Sequence, residues 1–405
     1  MSDLTKSWLT QDFFHNPHPY FAELRAEAPL YWSDKLNMWI TTNHALTLDA
    51  LRDHTRFSNS GRMEAEIATL PLEERQVLTK LAEDLGVGLI HSDPPDHTRM
   101  RRIVGKTFTP RVIEALRERT AGLADGLIDK MLEHKEFDFI EAFAFPLPVL
   151  VISDLFGVPR EDAERIKVWS EAITDLGSRR LPLYELGINA LKATAELKEY
   201  FLVILEARRI EPREDLITLL LQAEDGGDQL SRSELIGMAI LILVAGHETT
   251  TSLLSNGLLL LMQNPEQMKQ VQADPSLLPG AIEEMLRMEP SFPRTPRRIK
   301  EDMEFGGCQL RKDQMLSAMN AAANRDPEVF PEPDQFNIRR SPNKHLAFGH
   351  GVHHCLGAPL ARLEASLAFS TLLRRLPNLR LADDDICYKP DFSTRRLERL
   401  NVKIS

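Results

Sequence analysis

The chain has 405 residues, 43% of them hydrophobic and 27% charged, with 60 acidic against 49 basic side chains. This is the composition of a globular protein with a sizeable core, and its formal net charge of -11 argues against a general nucleic-acid binder, whose domains usually carry a basic face. Three cysteines, Cys308, Cys355 and Cys387, are too few and too scattered for a disulfide framework.

The N-terminus, Met1 to Thr10, lacks the basic flank and apolar run of a signal peptide, so a cytoplasmic protein is expected. Leu30-Tyr-Trp and Met38-Trp-Ile flank Ser-Asp-Lys-Leu-Asn and predict a β-hairpin. Residues 59–92 mix short helical patterns with Gly61, Gly86 and Gly88 and predict a long mobile connection. Helical periodicity dominates from Pro110 to Arg209, with breaks at Gly157-Val-Pro159 and between Gly177 and Pro182.

The strongest element runs from Ser233 to Asn264, with Ser231 and Glu234 as a capping box and Asn264-Pro265 as a stop. At about 1.5 Å per residue it reaches roughly 50 Å, the width of a domain. It is apolar on nearly every face and should run through the core. Its longest apolar stretch, Leu235 to Gly246, ends at His247 and Glu248, too short for a membrane span. Residues 296–345 are rich in Pro, Asn, Asp and Gly, with β-like pieces at Met303-Glu-Phe and Met315-Leu-Ser-Ala. Helix returns over Leu356–Leu376. With no internal repeat or linker, residues 1–405 are expected to form one mainly α domain with a minor β region.

Three constellations carry chemistry. The long helix reads Ala245-Gly-His-Glu-Thr-Thr250 at its centre. A glycine, an acid and a hydroxyl there suggest a local helix distortion over a reaction site, or simply close packing with Glu248 paired to a cation. Glu284-Met-Leu-Arg287 places an acid and a base on one helix face, a spacing most often seen in solvated surface pairs.

The third is Phe348-Gly-His-Gly-Val-His-His-Cys355-Leu-Gly357. Its glycines permit close backbone approach or positive φ. Cys355 stands just before an amphipathic helix, where free N–H groups favour the thiolate and suit it to a soft metal centre. A nucleophilic cysteine with a histidine base, a zinc site using His350, His353 or His354, and an inert buried thiol are the alternatives.

Phe348-Gly-x-Gly-x-His353-x-Cys355-x-Gly357 resembles the haem-binding loop of the cytochrome P-450 family. Ala245-Gly-x-Glu-Thr-Thr250 looks like that family's central-helix signature and Glu284-x-x-Arg287 like its structural ion pair. His97-Thr-Arg-x-Arg101, Ala323-Asn-Arg-Asp-Pro327 and Leu360-Ala-Arg-Leu-Glu364 are similar to further segments of soluble bacterial members, so the resemblance covers nearly the whole chain. One departure stands out: where the family often has Arg before the Phe of its Pro-Asp-x-Phe segment, this chain has Gln335. That leaves Gln335 itself or Arg339 to complete the ion pair.

The resemblance implies the P-450 fold, with haem b between the central helix and the cysteine loop. It implies Cys355 as axial thiolate, and Phe348, Ala245 and Gly357 beside the cofactor. His97, Arg101, Arg297 and His353 would hold the haem propionates. Glu248 and Thr249 would be the acid–alcohol pair that relays protons while O2 is activated. The activity implied is a monooxygenase acting on a hydrophobic substrate by hydroxylation or epoxidation. A peroxide-driven enzyme and a non-catalytic haem sensor are the rival functions, and the Glu248-Thr249 pair speaks against both.

Leu241, Val244, Phe292, Thr295 and Phe392 should line the pocket, with Arg179 and Arg180 as anchors for an acid or as solvent-facing loop residues. Electrons would come from a ferredoxin and its NAD(P)H-dependent reductase. Arg101, Arg102, Lys106, Arg111 and Arg362 would form the basic docking patch. A monomer free of membrane and nucleic acid is expected.

Overall fold

The computed structural model describes residues 3–68, 70–85, 88–177 and 182–404. The predicted hairpin forms: β1 (Leu30–Ser33) and β2 (Met38–Thr41) pair antiparallel, with Trp32 opposite Trp39. With β3 (Phe57–Ser58), β4 (Thr295–Ile299) and β5 (Met315–Ala318) they make a five-stranded sheet in the order β1-β2-β5-β4-β3. Strand β5 runs parallel to β2, and it brings residues 277 positions apart, such as Met38 and Met315, side by side. Met303–Phe305 and Cys308–Leu310 add a separate small hairpin.

Residues 59–92 are more ordered than their glycines suggest. They contain the helices Arg62–Ile67 and Leu72–Leu85. The second packs against the helix Leu183–Ile210, where a Cβ on Gly187 would lie 3.0 Å from Val77. Apolar burial of Leu78 and Leu81 outweighs the breaker residues in that segment. Of the predicted breaks, Gly157 ends the helix Pro146–Phe156 at φ +64. The other falls largely on residues 178–181, outside the described residues, as do Arg179 and Arg180.

The central helix spans Arg232–Gln263, with the capping box of Ser231 and Glu234 formed and Asn264 at its end. By length and composition it could cross a membrane, but 61% of its most apolar window is buried inside the protein. Leu243, Leu254, Leu258 and Leu261 are fully enclosed there. The expected distortion at its midpoint is absent: the helix runs unbroken. Gly246 serves packing, because a Cβ there would stand 2.8 Å from Ile152 of the neighbouring helix. The hydroxyls fold back on their own helix, Thr249, Thr250, Thr251 and Ser252 each donating to the carbonyl four residues before.

The pair on the helix Leu278–Met288 is not a surface pair. Glu284 and Arg287 are both fully buried, joined by two hydrogen bonds of 2.8 Å. Neither Gln335 nor Arg339 completes it. The Gln335 side chain turns to Glu332, and Arg339 reaches Gln270. The third member is Arg340, whose Nε donates to both Glu284 oxygens at 3.0 and 3.2 Å. Asn337 N–H and Asn343 Nδ2 supply further donors to Glu284, while Arg287 ties down the carbonyls of Asn324, Pro333 and Gln335. The irregular chain from Asn324 to Asn343 thus closes around one salt bridge.

Glu283, next in sequence, ties the same helix to the helix Ala358–Arg375 through Arg362, and also accepts from His345. Burial pushes its carboxyl up, but these two partners outweigh burial and hold it at about 2. A depressed folded-state value means stabilisation present above the unfolded range near 4.5 and lost as pH falls toward 2. Glu283→Gln should therefore flatten the acid limb of the stability curve between those values, as measured by denaturant unfolding. An unaltered limb would contradict the assignment.

Candidate active site

The loop from Phe348 reaches Cys355 through one 3-10 turn, Gly351–His353, and the following helix begins at Ala358 rather than at Leu356. Cys355 consequently lies just outside the helix, with the N–H groups of Gly357 and Ala358 directed at its sulfur. Its own N–H donates to the Phe348 carbonyl at 2.9 Å and closes the loop. Gly349 and Gly351 hold φ of +66 and +73, and a Cβ on Gly351 would lie 2.8 Å from the Leu51 carbonyl. Desolvation by the surrounding protein raises the thiol pKa, opposed by the two amides and by the charges of Arg101 and Arg362. Cys355 as a whole nevertheless remains an exposed residue. Arg362 also stacks over the Phe348 ring at 4.5 Å. Among the described residues no group of three or more His, Cys, Asp or Glu side chains could hold a metal ion, which removes the zinc reading.

Beside this thiol the structure gathers the predicted cations. The His97 and His353 rings stand 4.1 Å apart, both ring nitrogens of His97 and Nε2 of His353 being buried without partners. Burial pushes His97 down to about 4, reinforced by Arg101, and His353 down to about 3, reinforced by His97 and Arg297. Arg297 is 3% exposed and, among the described residues, donates only to the carbonyl of its neighbour Pro296. Orphaned donors and buried cations without a paired acid are costly unless an anion completes them. Two carboxylates of a haem fit this set, and the sulfur fits its iron.

Glu248 and Thr249 sit on the central helix with different surroundings. Glu248 is 8% exposed, and its Oε2 accepts from Arg396 at 3.2 Å. Arg396 in turn donates to Asp391 at 3.1 Å and Asp175 at 2.9 Å. His247, fully buried, holds the Leu243 carbonyl through Nδ1 at 2.8 Å and presents Nε2 to Glu248 Oε1 at 3.7 Å. Thr249 is half-buried. Leu241, Val244, Ala245 and Thr249 share one helix face, and each is only partly buried or exposed on a largely buried helix. The result is an apolar helix face with a hydroxyl on it.

The other predicted pocket residues stand on other elements. Thr295 accepts from Asn320 Nδ2 at 2.8 Å at the start of β4, and Phe292 is 43% exposed. Phe392 packs its ring against Trp8 and Phe13, under the Arg294 guanidinium, in an aromatic cluster of the N-terminal segment. The expected basic patch is partly neutralised: Arg102 and Lys106 both pair with Asp225, and Arg362 pairs with Glu283. Arg111 remains exposed.

A cysteine cradled by amides, a cluster of arginine and histidine donors suited to carboxylates, and a buried acid beside a half-buried hydroxyl on a through-core helix define a haem-thiolate site. The family profile described as Cytochrome P450 matches residues 71–393. Cytochrome P450 107B1 of Saccharopolyspora erythraea is 40% identical over 96% of both chains. Cytochrome P450 monooxygenase PikC of Streptomyces venezuelae is 38% identical over 98% of this chain and 92% of its own. The solved structure of myxobacterial CYP267B1 in complex with myristic acid superposes with a TM-score of 0.89 at 38% identity, covering 98% of this chain and 99% of its own. The chain belongs to the cytochrome P450 family. It is an oxidoreductase of the P450 monooxygenase class, with haem b and a cysteine thiolate axial ligand as the cofactor of that family.

Proposed function

We propose that this single-domain protein inserts one oxygen atom from O2 into a hydrophobic small-to-medium organic substrate, by hydroxylation or epoxidation. It works in the cytoplasm as a monomer, with electrons from a ferredoxin and its NAD(P)H-dependent reductase. The observation that carries the reading is Cys355, an exposed residue whose sulfur is met by two amide donors, together with the buried, unpartnered ring nitrogens of His97 and Nε2 of His353.

Cys355 would hold the haem iron, and Arg101 and Arg297 as charges, with His97 and His353 as hydrogen-bond donors, would hold its carboxylates. Bound there, haem supplies the redox centre at which O2 is activated. The side chains of Leu241, Val244 and Ala245 exclude bulk water and hold the apolar body of the substrate near that centre. Thr249 Oγ1 spends its own hydrogen on the Ala245 carbonyl at 2.9 Å, so its lone pairs are free to hold a proton-bearing water in the cleft. Glu248, next along the helix, resupplies the proton, its carboxyl kept in place by Arg396.

Thr249→Ala should bind haem and substrate normally but divert electrons to hydrogen peroxide. The readout is product formed per NAD(P)H consumed, and an unchanged yield would contradict the role. The reaction class is tested by turnover under labelled dioxygen with a ferredoxin system: one labelled atom in the product is expected. Label from water instead, or no product from any apolar substrate, would overturn it.

A further inference from the structure

The turn Ile140–Ala144 is π-helical, with Phe145 N–H donating to the Ile140 carbonyl at 2.9 Å. Such a turn carries one residue more than an α turn and bulges where it is inserted. Both of its ends are fixed. Phe139 N–H donates to the Leu400 carbonyl at 2.8 Å, and Asp138 accepts from Ile140 N–H at 2.9 Å. At the exit Pro146, which has no N–H, cannot close an α turn onto the Ala142 carbonyl. The wide turn and the helices Arg117–Met131, Pro146–Phe156 and Ala163–Thr174 border a cleft of about 460 Å³. No residue given to haem, proton delivery or substrate lines it.

Its walls define what would fill it. Leu127 and Met131 line it from one helix, and Ala142, Phe145 and Val149 from the π turn and the helix that follows. The charges cancel: Lys130 and Lys167 stand against Glu141 and Glu164, and Lys167 already pairs with Glu141 at 3.2 Å. A concave, largely apolar space of this volume suits a small molecule, and walls without net charge complement a neutral one. One wall is shared with the interior. The Phe145 ring, with Lys167 Nζ 4.7 Å from its centroid, meets His247 of the central helix edge-on, their centroids 6.0 Å apart. His247 is fully buried, and its Nε2 stands 3.7 Å from Glu248 Oε1.

We propose that this cleft is an effector site for a neutral, largely apolar small molecule, which acts on Glu248 through Phe145 and His247. The site itself stands apart from the haem-thiolate reading; only its effect on turnover rests on the role Glu248 has there. No bond is made or broken in the cleft. The ligand presses on the Phe145 ring, and the ring passes the displacement to His247.

Binding is tested by equilibrium dialysis of N-phenyl-naphthylamine against the haem-loaded protein, with the iron site closed by phenylimidazole. The wild type should take up about one equivalent, and the charged analogue anilinonaphthalene sulfonate should bind less tightly. Ala142→Trp and Ala163→Trp fill the cleft from two sides, so that one folded variant suffices. Each should weaken uptake by about tenfold or more with the haem absorption retained. Unchanged uptake in the folded variants, or tighter binding of the sulfonate, would overturn the site. Uptake that falls as protein concentration rises and a dimer forms would overturn it too, and give the cleft to a second copy of the chain. During turnover the neutral probe should change the share of electrons lost as hydrogen peroxide by about twofold or more in wild type, but not in Phe145→Leu. Uptake without that change in wild type would overturn the effector role. A wild type that takes up no haem fails the reading of the haem site instead, and dialysis of wild type against the two filled variants still tests the cleft.

Discussion

Glu284→Ala is expected to lose about 3–5 kcal/mol of folding stability, against a total of about 5–15 kcal/mol for a typical folded domain. Removing the carboxylate leaves Arg287 and the inner face of Arg340 charged, buried and unpaired, with both Glu284 and Arg287 fully enclosed in the wild type. The loss propagates because Arg287 also anchors the carbonyls of Asn324, Pro333 and Gln335. That segment precedes the cysteine loop directly, so haem loading should fall along with stability. Denaturant unfolding together with the haem-to-protein absorbance ratio measures both. A change under about 1 kcal/mol with full haem loading would contradict the anchoring role.

Glu248→Gln is expected to lower turnover by about 10²–10⁴-fold, the usual range for loss of a positioned proton donor, with haem content and substrate affinity retained. The fold should tolerate the change, because Arg396 keeps Asp391 and Asp175 as counter-charges. Arg396→Gln acts differently: it leaves Glu248 at 8% exposure without its cation and should destabilise the protein. Product formation rates under saturating reductant separate the two variants. Unimpaired turnover in Glu248→Gln would reduce Glu248 to a structural partner of Arg396.

Local signals in the sequence were reliable where the physics is local. The capping box, the Asn264 stop, the β1–β2 hairpin and the Gly157 break all depend on residues within a few positions of each other, and all stand in the structure. The motif around Cys355 was legible for the same reason, since its glycines and amides act on one short loop.

What the sequence hid is set by distance along the chain. Arg396 reaches Glu248 from 148 residues away, and nothing in the C-terminal segment marks it as the cation of the central helix. Arg340 as third member of the Glu284 cluster depends on how the loop after Phe336 returns, which the neighbouring Arg339 disguises. The central glycine misled in another way: Gly246 looks like a distortion site but answers to the bulk of Ile152, a contact only packing reveals. The charged patch was overestimated because Asp225, which pairs Arg102 and Lys106, lies more than a hundred positions downstream.

The central claim is that Cys355 is the axial thiolate of a haem. It is tested most directly by the absorption spectrum of the purified protein, reduced under carbon monoxide, for wild type and Cys355→Ala. The account predicts a strongly red-shifted carbonyl band in the wild type, the mark of thiolate ligation, and its loss in Cys355→Ala. A wild type without that band, or a Cys355→Ala protein that retains it, would contradict the account.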